Sequence, residues 1–377
     1  MSTDPIESPS IGVGDGEVAV AETADAIDLD LYPNEASDLA VVPGGLVAGY
    51  DQAFVTVLDE GVIEESVAIL GHRGDDPFGG WEAQRLRLSA TVHAGRTEDA
   101  EACDFHGHHL YVLGSHFGSK DGPLQARRAW VARVAKADLP AMVAGERPPV
   151  EIARNRFSLH RAINDRLREA GPALRELGPR ARERLIGRTI KRGEKKQKAW
   201  AGRVREDDQP INIEGMCFLA DGTLLLGLRY PVTAEGEPIL VELVDIEAFF
   251  ADPDVAPTLG AVWTLECAGS PDDPVGIRAL HRTADDRVHA IVGSLDALGK
   301  DSALVADHPA AGRAHCEHWA MRLPEHRGGG VVECRKLYSF PGERSVEGLA
   351  KMPSGPFLYV IDRDHNVHLR FLLAEDE

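Results

Sequence analysis

Positive charge is in short supply in this chain. Lys and Arg number 41 against 61 Asp and Glu, a formal charge of -20, which disfavours nonspecific attraction to nucleic acid or anionic lipid. Cysteine is also scarce. Cys103, Cys217, Cys267, Cys316 and Cys334 are five, odd in number and free of Cys-x-x-Cys spacing, which argues against a disulfide framework or zinc site and for reduced, buried thiols. No apolar run is long enough to span a bilayer. The opening Met1-Ser2-Thr3-Asp4-Pro5-Ile6-Glu7 lacks the basic and apolar stretches of a secretory leader. The expectation is a cytoplasmic protein without membrane contact. What is plentiful is punctuation: 38 glycines and 23 prolines in 377 residues, with 43% hydrophobic and 27% charged residues. That composition suits a globular chain of short strands joined by many turns.

Residues 1–20 mix Ser, Pro, Gly and acids without periodicity and are expected to form a disordered acidic tail. Beyond them one unit recurs: an acid and a small residue, an apolar strand, a turn, and a second strand. Glu35-Ala36-Ser37-Asp38-Leu39 leads to Leu46–Gly49, and Glu101-Ala102-Cys103-Asp104-Phe105 leads to Leu110–Gly114. Glu214-Gly215-Met216-Cys217-Phe218 leads to Leu224–Gly227, and Glu347-Gly348-Leu349-Ala350 leads to Phe357–Ile361. A degenerate copy, Gly276-Ile277-Arg278-Ala279-Leu280, leads to Val288–Gly293.

The copies are roughly 65 residues apart once one insertion is set aside, and the further strand-like runs Ala53–Leu58, Ala129–Val134, Ile239–Val244, Val262–Leu265 and Val331–Leu337 lie between them. Each repeat then holds about four strands, the size of a propeller blade. Radial stacking would bury two faces and protect two edges that a lone sheet leaves exposed. The expected fold is all-β, a single β-propeller of about five blades. Six is the alternative because 62–92 has room for extra strands, and a sandwich or two small β domains would share the hairpin pattern. The last repeat, ending at Leu372, is a strand short, and Val18-Ala19-Val20-Ala21 is expected to close the ring.

Residues 157–206 break the pattern. Leu159, Ile163, Leu167, Leu174, Leu177 and Leu185 fall at helical spacing, with Gly171-Pro172 and Gly178-Pro179 as breakers. A basic α-helical insertion of two or three helices is expected, dividing the propeller into 21–156 and 207–377. Its cations include Arg180, Arg182, Arg184, Arg188, Lys191, Arg192, Lys195, Lys196 and Lys198. With only Trp200 and Phe157 to stack on bases, the segment reads as a solvated cationic face against acidic surface rather than a nucleic-acid arm. A protein partner is the other use for it.

In a blade the start of the first strand and the end of the second share one face. The starts carry Glu35, Glu101, Glu214 and Glu347; the ends carry Asp51, Ser115-His116, Arg229, Asp296 and Arg363. Acids and cations should meet at one mouth. Crowded carboxylates repel and raise each other's pKa unless compensated. Compensation would come from Arg229, Arg278 and Arg363, or from a divalent cation such as calcium held by Glu35, Glu101, Glu214 and Glu347. Capping of neighbouring blades through backbone N–H groups is the purely structural use of the same glutamates.

Other patterns are weaker. His106, His108 and His109 occupy an expected hairpin turn. Asp362, Asp364 and Asn366 resemble the start of a calcium loop but lack its glycine and distal glutamate. Ser115 beside His116 has no Gly-x-Ser-x-Gly elbow, and Gly114–Lys120 has no Walker spacing.

The stretches Asn212–Arg229 (Asn-Ile-Glu-Gly-Met-Cys-Phe to Gly-Leu-Arg) and Glu101–His116 (Glu-Ala-Cys-Asp-Phe to Gly-Ser-His) resemble a bacterial propeller family catalogued as a domain of unknown function. That family is similar to phytase-like and esterase-like propellers. Ala102, where the family has glycine, and Gly276, where an acid is expected, depart from its pattern. The resemblance implies the fold and leaves the activity open. The expectation is a small-molecule site that hydrolyses an ester or phosphoester. Glu101 and Glu214 would be acid and base or metal ligands, His116 would shuttle protons, and Arg229, Arg363, Arg278 and Ser115 would bind an anionic ligand. The alternative is a non-catalytic interaction propeller using the insertion or top loops.

Overall fold

A computed structural model describes residues 27–29, 36–59, 61–76, 79–90, 96–119, 121–266, 269–295, 302–325, 328–353, 355–362 and 367–372. The strands, in chain order, are β1 (Ile27–Leu29), β2 (Ala36–Val41), β3 (Gln52–Leu58), β4 (Val67–His72), β5 (Trp81–Leu86), β6 (Ser89–Ala90), β7 (Ala100–His106) and β8 (His109–Gly114). They continue as β9 (Val131–Ala135), β10 (Pro149–Ala153), β11 (Asn212–Phe218), β12 (Leu224–Tyr230), β13 (Ile239–Leu243), β14 (Leu259–Glu266) and β15 (Val275–Arg282). The last are β16 (Val288–Ser294), β17 (Glu317–Met321), β18 (Gly330–Ser339), β19 (Val346–Lys351), β20 (Phe357–Asp362) and β21 (Val367–Leu372).

These strands form successive antiparallel meanders. The first is β2-β3-β4-β5, and the second is β7-β8-β9-β10 with β6 added in parallel to β10. An eight-stranded sheet holds β11-β12-β13-β14 and β15-β16-β17-β18, joined where β14 pairs in parallel with β18. The last meander is β19-β20-β21, completed by β1 antiparallel to β21 with Asp28 opposite His368. The chain start therefore does complete the last sheet, through Ile27–Leu29; the segment expected to do so, Val18–Ala21, lies outside the described residues. The leading strands β2, β7, β11, β15 and β19 touch their neighbours in a closed cycle, with β19 against β2. The fold is all-β and propeller-like.

Burial explains why these segments are strands. β11, β12 and β16 are buried at every residue, so their near-continuous apolar runs are covered on both faces. The outer strand β5 carries Glu82, Gln84 and Arg85 at part-exposed positions, as an edge strand requires. The apolar cores lie between meanders. Val55 and Val57 share a cluster with Val112 and Trp130, Tyr111 with Leu226, Leu240 with Ile277, Ile291 with Tyr359, and Phe54 with Leu358.

One expectation needs correction here. Leu46–Gly49 is not the second strand of the first repeat; it lies in the loop between β2 and β3, and Gln52–Leu58 is the strand. The 62–92 stretch does hold further strands: β4 and β5 of the first meander, and β6, which joins the second.

Between β10 and β11 the chain forms helices at Ser158–Ala170, Pro179–Ala181 and Arg188–Lys195, the last two linked by the π-helical turns Arg182–Gly187. Leu159, Ile163 and Leu167 enter the core shared by the second and third meanders. Leu177, Leu185 and Ile186 pack with Phe117, Leu124 and Tyr230. Asp208, fully buried, receives Arg161 at 2.8 Å and Arg168 at 2.8 Å, with His160 at 3.4 Å. Burial opposes its charge, but His160 and Arg168 hold its carboxyl well below the usual range. The insertion is thus pinned to the sheets.

Candidate functional site

The site begins with a backbone irregularity. All five leading strands slip in register beside the second strand: β2 between Ser37 and Ala40, and the other four by one residue, between Ala100 and Ala102, Ile213 and Gly215, Ile277 and Ala279, and Val346 and Gly348. The residues at these four one-residue slips are Glu101, Glu214, Arg278 and Glu347. A β-bulge leaves one residue unpaired and re-aims its side chain, so four strands from different parts of the chain each send one charged group toward a common mouth. The fourth repeat is therefore not missing its charge at Gly276. Arg278, two residues on, holds the equivalent place, and a Cβ at Gly276 would lie 2.1 Å from the Arg229 carbonyl oxygen. The small residue after each acid has a similar cause: a Cβ on Gly348 would come within 2.7 Å of the Asp38 backbone.

The mouth opens into a cavity of about 580 Å³ lined by Asp59, Asp99, Glu101, Asp121, Glu214, Glu347 and Asp362, with Arg128 and Arg229 as its cations. Arg229 Nη1 donates to Glu214 Oε1 at 2.6 Å, and Asn212 Nδ2 donates to the same oxygen at 2.9 Å. Arg229 Nε also donates to the Ser294 carbonyl at 3.0 Å. Arg278, buried behind the lining, forms an ion pair with Glu347. Arg128 pairs with Asp99 at 2.8 Å. Among the described residues Glu101 receives only a long contact from the Ser37 hydroxyl, 3.4 Å. Burial, reinforced by Asp99, Glu214 and Asp59, pushes its carboxyl well above the ordinary value, with Arg229 opposing. Asp99 is also raised, by burial first, against the pull of Arg128.

Among the buried acceptor atoms of this lining, Glu214 Oε2 and Asn212 Oδ1 have no hydrogen-bond partner among the described residues. Glu214 is 4% exposed and Asn212 7%. Buried acceptors without donors are costly, so the cavity offers a place for a donor.

The structure sorts the expected site residues unevenly. Glu101, Glu214, Glu347 and Arg229 line one cavity, and Arg278 stands behind it. Glu35, Arg363 and Asp296 lie outside the described residues, as do Asp364 and Asn366. His116 is misplaced for proton shuttling. Its fully buried ring is not in the lining, and its nitrogens are taken by the Gly114 carbonyl at 2.7 Å and the Asn155 amide at 2.7 Å. Burial lowers its pKa to about 4. Ser115 is no ligand either: its hydroxyl donates to Asp99 and accepts from the Phe117 N–H. Asp51 is at the far end of β3, where it accepts from the Gly74 N–H at 2.7 Å. Arg229 and Arg278 are engaged by carboxylates, which removes the basis for an anion site there.

Of the expected metal ligands, Glu35 lies outside the described residues, and two of the other three are already engaged. Glu214 and Glu347 are neutralised by arginines, and among the described residues no three His, Cys, Asp or Glu side chains form a group able to hold a metal ion.

The blade-capping role falls to other residues. Asp38 accepts from the Cys103 N–H at 2.9 Å, and Asp104 from the Phe218 N–H at 2.8 Å. Each aspartate thus ties its leading strand to the next. His106, His108 and His109 form the β7–β8 hairpin, His106 stacking on Phe218 at 4.5 Å.

Asp59, Asp99 and Asp121 were not expected in the mouth. Asp59 follows directly on the Ala53–Leu58 run, and taking that run as the second strand would have found it. Asp99 sits two residues before Glu101, where φ of 68° turns the chain into the mouth. Asp121 comes from the β8–β9 loop, held by Arg184 and Arg188 of the insertion.

No family model matches the chain, and no curated protein matches it. Several solved structures align along most of its length. A Dyadobacter fermentans protein of unknown function is 12% identical, with 95% of this chain and 84% of that one covered and a TM-score of 0.37. A mannose phosphorylase from Leishmania mexicana is 10% identical over 93% and 88%, TM-score 0.41. The Bacillus subtilis arabinanase Arb43A is 11% identical over 93% and 96%, TM-score 0.38. Likeness this distant carries no activity across; the propeller-like ring rests on the closed cycle of contacts among the leading strands.

Proposed function

We propose that the five meanders are the blades of one ring, and that its acidic mouth binds a small molecule rich in hydrogen-bond donors and hydrolyses it by acid–base chemistry. The observation that carries the reading is the pair of unpartnered buried acceptors, Glu214 Oε2 and Asn212 Oδ1, in a lining where carboxylates outnumber guanidinium groups. Such a surface attracts hydroxyl or ammonium groups and repels phosphate. A neutral or cationic ester therefore fits better than a phosphoester. Glu101, whose environment favours the protonated form, donates its proton to the leaving oxygen; Glu214 Oε2 accepts from the attacking water.

The test is a panel of polyols, amines, neutral esters and phosphoesters, scored by calorimetry and turnover. Saturable binding of donor-rich compounds, weakened by Glu214→Gln, supports the site. Hydrolysis lost in Glu101→Gln with binding retained supports the acid role. Preference for phosphoesters, or binding and turnover indifferent to both substitutions, would overturn it.

A further inference from the structure

A second cavity, of about 450 Å³, lies where the insertion meets the second meander. Its charged lining is entirely cationic among the described residues: Arg127, Arg154, Arg156, Arg192, Lys196 and Lys198. Arg127 comes from the β8–β9 loop, Arg154 and Arg156 from the chain leaving β10, and the rest from the last inserted helix and the turn after it. Leu124, Ala126, Ala199 and Trp200 supply the apolar part of the lining.

The cations are held together by packing. Trp200 is 9% exposed and sets its ring edge-on to Phe157 at 4.9 Å. A Cβ on Gly193 would come within 2.8 Å of that indole, so only glycine lets the turn lie so close to the helix. The Lys198 N–H then bonds the Gly193 carbonyl at 2.9 Å. Arg127 has Glu98 at 2.7 Å, and Arg156 has Asp254 at 3.7 Å. Exposed Arg192, Lys196 and Lys198 make no ion pair with a described residue. Like charges fixed within a Debye length of each other favour a counter-anion.

We propose that this cavity binds a compact small molecule carrying several phosphate groups. The volume matches a small-molecule site, and several cations around one hollow suit clustered charge. A nucleic-acid strand would need exposed stacking surfaces, but Trp200 is packed on Phe157 and Phe157 is fully buried.

Inorganic tripolyphosphate, inorganic phosphate and a single-stranded RNA of about ten nucleotides would be titrated into the full chain by calorimetry at low and moderate salt. Tripolyphosphate should bind one site per chain, more tightly than phosphate, and weaken with salt. Lys196→Gln with Lys198→Gln should weaken it roughly tenfold. Arg335→Gln with Lys336→Gln, on β18, should leave it unchanged. Both pairs are at exposed or part-exposed positions, and a melting curve checks that each variant is folded. Lack of saturable binding, or equal weakening by the β18 pair, overturns the proposal. RNA displacing tripolyphosphate with affinity that grows with length would overturn it in favour of a nucleic-acid surface.

Discussion

The acidic mouth and the basic cavity are two walls of one short segment. Residues 117–128 place Phe117, Asp121 and Arg128 in the first and Leu124, Ala126 and Arg127 in the second. Yet charge is handled in opposite ways. At the mouth each buried guanidinium has a carboxylate: Arg229 has Glu214, and Arg278 has Glu347. In the basic cavity Arg192, Lys196 and Lys198 stay in water, where desolvation exacts little. Burial therefore decides which charges must be neutralised by the fold and which can await a ligand. If so, mouth substitutions should damage stability and basic-cavity substitutions should not.

The largest effect is expected from Glu347→Ala. It would strand Arg278, whose side chain is 2% exposed and whose charge burial already disfavours, with Arg229 adding to the effect. Breaking a buried pair from one side costs about 3–5 kcal/mol, measurable by denaturant unfolding. Replacing Arg278 by Met in the same chain should recover much of the loss. A cost below about 1 kcal/mol for Glu347→Ala alone would erase the contrast between the regions.

Next is the divider itself. His116 joins the end of β8 to Asn155 at the entry to the insertion. Its folded pKa, lowered by burial to about 4, lies below the unfolded value of about 6.5. The native state thus keeps the ring neutral while the unfolded chain takes up a proton. Stability from this group is present above about pH 6.5 and lost as pH falls toward 4, roughly 3 kcal/mol in all. Asp104 works the other way: burial raises it to about 6, so its protonation adds stability as pH falls from there toward its unfolded value. Asn tolerates the left-handed φ of 62° at position 116. His116→Asn should therefore flatten the acid loss between pH 6.5 and 4 in thermal melts, whereas an unchanged slope would place the proton uptake elsewhere.

How much of this was legible follows from what repeats. The acid–small–apolar unit placed four of the five leading strands and brought Glu101, Glu214 and Glu347 to one mouth, because a period fixes relative position even at low identity. It could not show the bulges. A one-residue slip leaves no mark in an apolar run, so Arg278 was read two places out of register and Gly276 as a lost acid. The loop 117–128 and the link from His116 to Asn155 are contacts between distant segments with no local pattern. The same holds for the inserted cations: density along the sequence was visible, but which of them converge depends on Trp200 folding back over Gly193.

A smaller effect is expected at the ties between leading strands. Asp38→Ala leaves the buried Cys103 and Leu39 N–H groups without their acceptor, at about 1–3 kcal/mol. Burial raises the Asp38 carboxyl well above its usual range, against the pull of the Cys103 and Leu39 bonds. A neutral side chain that still accepts one of the two bonds and tolerates the left-handed φ of 56° should therefore serve in part, and Asp38→Asn should cost less than Asp38→Ala. An equal cost would mean that the tie needs both acceptor oxygens at once.

The smallest effect should come from the exposed lysines of the basic cavity. Removing Lys196 and Lys198 takes two positive charges from a crowded patch in which neither has an ion-pair partner among the described residues. No ion pair with a described residue is lost, and repulsion with Arg192 and Arg156 falls. The change in unfolding free energy should stay within about 0.5 kcal/mol and lean toward stabilisation, most visibly at low salt where screening is weak. A loss above about 1 kcal/mol would show that these lysines are held by the fold in the same way as Arg278. The distinction between charges the fold must neutralise and charges it leaves for a ligand would then collapse. A small gain, together with weakened tripolyphosphate binding, is the combination that a structural role for the lysines could not produce.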